Sequence, residues 1–120
     1  MLHLSSHCRY FLCRDPTDMR KGFDSLSGLV TGHMQRDVRS GDVFVFVNRG
    51  RTHVKLLLWE GDGFGLYYKR LERGTYELPR TAQQGPSAPV TAEQLSLILR
   101  GISLKFIRKR KRYQQLVPSC

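Results

Sequence analysis

The sequence predicts an α+β fold: an antiparallel β-meander of four to five strands, two helices packed on one face of it, and a basic C-terminal tail. Three observations carry this. Between Asp42 and Pro79 the chain reads as short β-rich runs, each parted from the next by two or three turn residues. Stretches with a helical spacing of apolar residues precede and follow that block. Beyond Ile102 lysine and arginine crowd together, with no acidic residue among them.

Cys8 to Arg14 (CRYFLCR) is the expected first strand. Asp15-Pro16-Thr17-Asp18 interrupts it and opens a helix, because proline biases Asp15 away from helical angles and Thr17 or Asp18 can accept first-turn amides. From Met19 the apolar residues Phe23, Leu26, Leu29 or Val30, and Met34 follow the helical period. Gly22, Gly28 and Gly32 weaken that helix, so tertiary packing has to hold it. Arg36 to Gly41 is a polar connection. The meander then runs Val43 to Val47, Thr52 to Glu60, Phe64 to Leu71 and Thr75 to Leu78, turning at Arg49-Gly50-Arg51, Gly61-Asp62-Gly63 and Glu72-Arg73-Gly74. Connections this short allow only antiparallel pairing between neighbours. After Pro79 the segment RTAQQGPSAP reads as a loop, rich in Pro, Gly, Ser and Gln. Thr91 with Gln94 three residues on forms a capping-box pattern, and Leu95, Ile98, Leu99 and Ile102 make the stripe of a second helix. Residues 1–104 form one expected domain and 105–120 the tail.

A chain of 120 residues holds one domain with a modest core, and 40% apolar with 25% charged residues belongs to a globular protein. The bulk feature that asks for a partner is the net charge of +10. Self-repulsion of that size is usually kept because a polyanion is bound. Apolar runs such as Leu56 to Trp59 are too short to span a bilayer, and the start lacks the order of a signal peptide, which points to the cytoplasm. The three cysteines, Cys8, Cys13 and Cys120, cannot complete a disulfide framework. His3, His7, Cys8 and Cys13 follow no recognised zinc spacing, so free thiols are expected and no metal.

Enzymatic signatures are missing from the sequence. Gly61-Asp62-Gly63-Phe64-Gly65 lacks the lysine and following helix of a phosphate-binding loop. There is no nucleophile elbow and no histidine pair at metal spacing. Asp15 and Asp18 suit a helix start, and Asp42 and Asp62 suit turns, which leaves no convergent set for a two-metal nuclease. The protein is expected to need no cofactor and neither to cleave nor to join DNA.

Alternation within the meander suggests a surface instead. Val54, Leu56 and Leu58 share one face of their run, and His53, Lys55, Leu57 and Trp59 the other. Phe64, Leu66, Tyr68 and Arg70 alternate with Gly65, Tyr67, Lys69 and Leu71. One face is a core face. The other mixes aromatic and basic side chains, with Arg49, Arg51 and Arg73 at the hairpin ends. It is either an ordinary solvated face or a surface for phosphate and base contacts. The tail adds a second basic element: Arg100, Lys105, Arg108, Lys109, Arg110, Lys111 and Arg112 follow the last carboxylate, Glu93.

Three stretches resemble a known family: PTDMRKGFDSL (Pro16 to Leu26), FVFVNRGRTHVKLLLWEGDGFGLYYKRLERGTYELP (Phe44 to Pro79) and TAEQL (Thr91 to Leu95). They are similar to the TnpB accessory proteins, second open reading frame products of the IS66 family of bacterial insertion sequences. The likeness covers roughly Asp15 to Ile102. It implies a small protein, encoded beside a separate and larger transposase, that assists transposition without cutting DNA. The motif positions it offers as contacts are Asp18, Arg20, Lys21, Asn48, Arg49, Lys55, Trp59, Lys69, Arg70 and Arg73. With the charge pattern, the expected function is an accessory protein that binds DNA, the element ends in particular, within a complex with its cognate transposase. The expected nucleic-acid contacts are Arg20, Lys21, Arg49, Arg51, Lys55, Lys69, Arg70 and Arg73, with Arg108 to Arg112 of the tail. The alternative is an assembly module that contacts the transposase without binding DNA.

Overall fold

A computed structural model describes residues 4–79 and 85–100. Its centre is a five-stranded sheet: β1 (Tyr10–Cys13), β2 (Val43–Val47), β3 (His53–Trp59), β4 (Phe64–Arg70) and β5 (Ser87–Val90), in the order β4-β3-β2-β1-β5. The α+β class holds. So does the antiparallel meander of β2, β3 and β4, in which Val45 faces Leu56 and Leu56 faces Tyr67. Its turns fall at the expected places, and Gly61 at the β3–β4 turn takes a φ of 96°, which glycine adopts without strain.

The helices are not together on one face. Tyr10, Leu12, Val43, Val45, Val47, Val54 and Leu56 pack with Leu95, Ile98 and Leu99 of α2 (Ala92–Leu99). Phe11, Phe44, Phe46 and Leu57, which alternate with them, pack with Leu26 and Val30 on the other side. The helices therefore cover opposite faces. The cause is visible in β2, whose five residues are all apolar and all buried, so each face of the sheet needs its own cover.

Four local expectations are also revised. α1 (Phe23–Gly28) starts well after Thr17 and continues as a π-helical turn, Leu29–His33, closed by the Met34 amide on the Leu29 carbonyl at 2.9 Å. Before it, Asp15 to Gly22 is extended or turning, because the Thr17 amide donates to the Val47 carbonyl (2.9 Å) and so ties this segment to β2. Phe23, expected in the buried stripe, is 46% exposed. Second, β1 pairs parallel with β2, α1 lying in the crossover between them. Third, Thr75 to Leu78 makes no strand. It carries the fully buried Tyr76 into the core on the α2 side, and its amide donates to the Arg51 carbonyl at 2.7 Å. Fourth, the expected loop before Thr91 contains β5, paired antiparallel with β1 through Tyr10 to Val90 and Leu12 to Ala88. The capping box of α2 is complete: Thr91 Oγ1 accepts from the Gln94 amide at 3.0 Å, and Gln94 Oε1 from the Thr91 amide at 2.9 Å.

Candidate nucleic-acid interface

The topology gives the sheet two unlike ends. β1 and β2 run in parallel, so the Asp15–Gly22 segment and the β2–β3 loop leave from the same end. β4 returns to that end at Arg70, opposite His53, and the Leu71 amide bonds the Thr52 carbonyl there at 2.8 Å. α2 also finishes there, since Lys69 Nζ donates to the Leu99 carbonyl at 2.7 Å. Arg20, Lys21, Arg49, Arg51, Lys69, Arg70, Arg73 and Arg100 are thereby gathered at one end of the molecule. The carboxylates Asp42, Glu60, Asp62 and Glu93 lie toward the other, whereas Asp18 and Glu72 share the basic end.

These cations are not equivalent. Lys55 is buried, with 7% of its surface exposed, and its ammonium donates to the carbonyls of Met19 (2.7 Å) and Lys21 (2.8 Å). It also lies 4.7 Å from the centre of the Tyr68 ring. Lys55 is thus a structural clamp, with its donors turned inward. Lys69 is occupied by the end of α2 and sits on the opposite sheet face from Arg70. Arg20 is exposed but held by Asp18, with Nη2 to Oδ2 at 2.6 Å and Nε to Oδ1 at 3.1 Å. Those side-chain bonds, with the Arg20 amide, hold the Asp18 carboxyl down to about 2. Arg70 Nε meets Glu72 at 3.0 Å on the surface, a contact that solvent screens. Arg49, Arg51 and Arg73 are exposed and make no ion pair among the described residues. Lys105 and Arg108, Lys109, Arg110, Lys111 and Arg112 lie outside the described residues.

Beside Arg49 is a shallow cleft of about 500 Å³, lined by Pro16, Thr17, Asp18, Met19, Asn48, Arg49, Gly50 and His53. Its wall is ordered by Asn48. Asn48 Oδ1 accepts the backbone amides of Thr52 (2.9 Å) and His53 (3.0 Å), which fixes Nδ2 as a donor toward Thr52 Oγ1 (3.1 Å) and His53 Nδ1 (3.2 Å). With the Thr52 hydroxyl also 2.7 Å away, Nδ1 of the neutral ring is the acceptor and Nε2 carries the proton. The cleft joins the Pro16 motif to the Asn48 motif, two sequence stretches far apart in the chain.

Sequence reasoning passed over the cations that face aromatic rings around the α1 side. Arg36 lies 3.6 Å above Phe11, and Arg39 lies 4.8 Å from Trp59. Only their position in a polar connection next to the meander hinted at this. Trp59, offered as a contact by the resemblance, stacks edge-on with Phe64 at 4.9 Å beneath Arg39. Among the described residues no three His, Cys, Asp or Glu side chains gather into a metal-holding group, and no helix is long and apolar enough to cross a membrane. Cys13 is buried, and burial pushes its thiol up.

Fold and surface together define a small cationic α+β protein with a two-sided sheet and a basic end. The chain belongs to the family described as IS66 Orf2 like protein, whose model matches residues 8–109, and so to the machinery of insertion-sequence transposition. Two relatives from Sinorhizobium fredii carry the names uncharacterized protein y4hO and uncharacterized protein y4jC. The first is 33% identical over 102 residues, covering 85% of this chain and 87% of the relative. The second is 26% identical over 110 residues, covering 92% of each. No solved structure matches this chain.

Proposed function

We propose that the protein is a non-catalytic accessory factor of transposition that works in the cytoplasm, in a complex with its transposase, and binds DNA mainly through phosphates. The observation that carries this is the gathering of Arg49, Arg51, Arg70 and Arg73 at one end of the sheet, three of them without an ion pair among the described residues. Guanidinium groups suit phosphate oxygens bidentately, and surface arginines not held by carboxylates are free to meet them. The basic residues of the tail, which follow α2 in the sequence, would extend the contact along the backbone.

The test is a salt titration of duplex binding, read by fluorescence anisotropy, for three proteins: wild type, Arg49→Ala with Arg70→Ala, and a tail variant with Arg108 to Arg112 changed to Gln. Each phosphate contact on a duplex adds about 0.9 to the slope of log K against log salt. The tail variant should lose a few units of slope irrespective of DNA sequence, and the double variant should lose about two units while keeping the tail's share. Equal slopes in all three would show that neither surface touches phosphate. The protein would then be an assembly module that contacts the transposase without DNA.

A further inference from the structure

Next to the basic end stands an aromatic side chain that phosphate binding does not use. Tyr68 is 52% exposed, on the α1 face of the edge strand β4. A tyrosine this open usually samples several rotamers. Here the buried Lys55 ammonium lies 4.7 Å from the ring centre, and the His53 ring lies 5.9 Å away at an interplanar angle of 35°. Lys55 is in turn fixed by the Met19 and Lys21 carbonyls, and His53 by Asn48 and Thr52. Tyr68 is therefore held in place while half of it stays open to solvent.

Basic side chains stand near it. Arg70 shares its strand and its face, His53 stands opposite Arg70, and Arg49 lines the same cleft as His53. We propose that Tyr68, with His53 beside it, is a stacking platform for one unpaired nucleobase, while Arg49 and Arg70 take the flanking phosphates. The ligand class is single-stranded or locally unpaired nucleic acid rather than intact duplex, because a paired base buries both its faces in its own stack. A protein partner would find the same ring, but an exposed aromatic beside a histidine, with an arginine two residues on along the same strand face, is complementary to a base next to a phosphate. This inference rests on the reading of the basic end as a nucleic-acid surface.

The experiment uses the full chain and labelled oligonucleotides of equal length: single-stranded DNA, single-stranded RNA and duplex DNA. Wild type should prefer the single strands. Tyr68→Ala should weaken single-strand binding by roughly 5- to 150-fold, the measured range for loss of one base–aromatic stack, and leave duplex binding within about twofold. Tyr68→Trp should restore the preference, and Tyr68→Phe should keep it, since stacking needs the ring and not the hydroxyl. A 5-iodouracil photo-crosslink should map to Tyr68. DNA and RNA single strands bound equally would mean that the ring and phosphates alone are read, and a preference for either would mean that the sugar 2′ position is sensed as well; all three support stacking. Duplex bound as tightly as single strand, with Tyr68→Ala lowering both alike, would overturn this inference alone. No binding of any oligonucleotide by wild type would overturn the DNA reading itself and this one with it. Loss of transposase co-purification by Tyr68→Ala with single-strand binding intact would make the ring a protein contact and also overturn it.

Discussion

Replacing Lys55 by Met tests whether this lysine serves the fold or the ligand. Methionine keeps most of the stem and removes the ammonium, leaving the Met19 and Lys21 carbonyls without the donors that reach them at 2.7 and 2.8 Å. A hydrogen bond from a charged donor nets about 1.5–3 kcal/mol, so two give about 3 kcal/mol at the low end. The contact with the Tyr68 ring adds roughly 1 kcal/mol. Against this, the variant no longer desolvates a buried charge, and Met19 and Lys21 are only half-buried, so water reaches part of what is lost. We expect a net loss of about 3 kcal/mol. With a urea dependence of roughly 1.5 kcal/mol per molar for a domain of this size, the midpoint should fall by about 2 M. The single tryptophan, Trp59, reports unfolding by fluorescence. The salt slope of DNA binding should stay unchanged, because the ammonium faces carbonyls and not solvent. A stability loss below about 0.5 kcal/mol together with a reduced slope would refute the clamp and return Lys55 to the phosphate contacts.

Three further outcomes follow from particular residues. Arg51 holds a φ of 57°, a left-handed conformation that costs an ordinary side chain about 1 kcal/mol, so Arg51→Gly should raise stability by up to that amount while lowering the salt slope by about 0.9; a destabilised variant would contradict it. Thr91→Ala removes the side chain that accepts the Gln94 amide and should cost about 1 kcal/mol in urea unfolding, whereas no change would mean that α2 is held by packing alone. Burial first, and Tyr67 second, push the Tyr76 phenol from 10.0 up to about 12. The unfolded chain therefore releases this proton at lower pH than the folded one, so stability should hold below pH 10 and fall from there toward pH 12, and Tyr76→Phe should flatten that fall; a wild-type urea midpoint constant across this window would contradict it.

The meander was legible because β3 and β4 alternate and end at glycine turns, signals that need no knowledge of distant residues. β5 was not. Ser87-Ala88-Pro89-Val90 has weak strand character, and it becomes a strand because β1 would otherwise be left as an open edge. The late start of α1 was hidden for a similar reason: Lys55 takes the Met19 and Lys21 carbonyls from more than thirty positions along the chain, and no local pattern announces a side chain doing so. The opposite placement of the helices was readable in principle, since VFVFV has no polar side to give to solvent. At the site, the sequence identified the cations but not their engagements. Lys55 and Lys69 look like Arg49 and Arg70 on paper, and only the fold shows that the lysines end on backbone carbonyls.

The two borders of the sheet differ in a way that limits how copies of the protein can associate. The Arg14 amide donates to the Pro86 carbonyl, so the alternation along β5 turns Ala88 and Val90 toward β1 and leaves Ser87 and Pro89 facing outward. Proline has no amide hydrogen, which leaves the Ser87 N–H as the only outward donor of this strand. β4 is longer, lacks proline, and borders no further strand among the described residues. Among the described residues, backbone pairing between copies is therefore favoured along β4 and weakened along β5. Two molecules joining through β4 would use up both favoured borders, so such a contact closes as a two-fold pair rather than propagating into a filament.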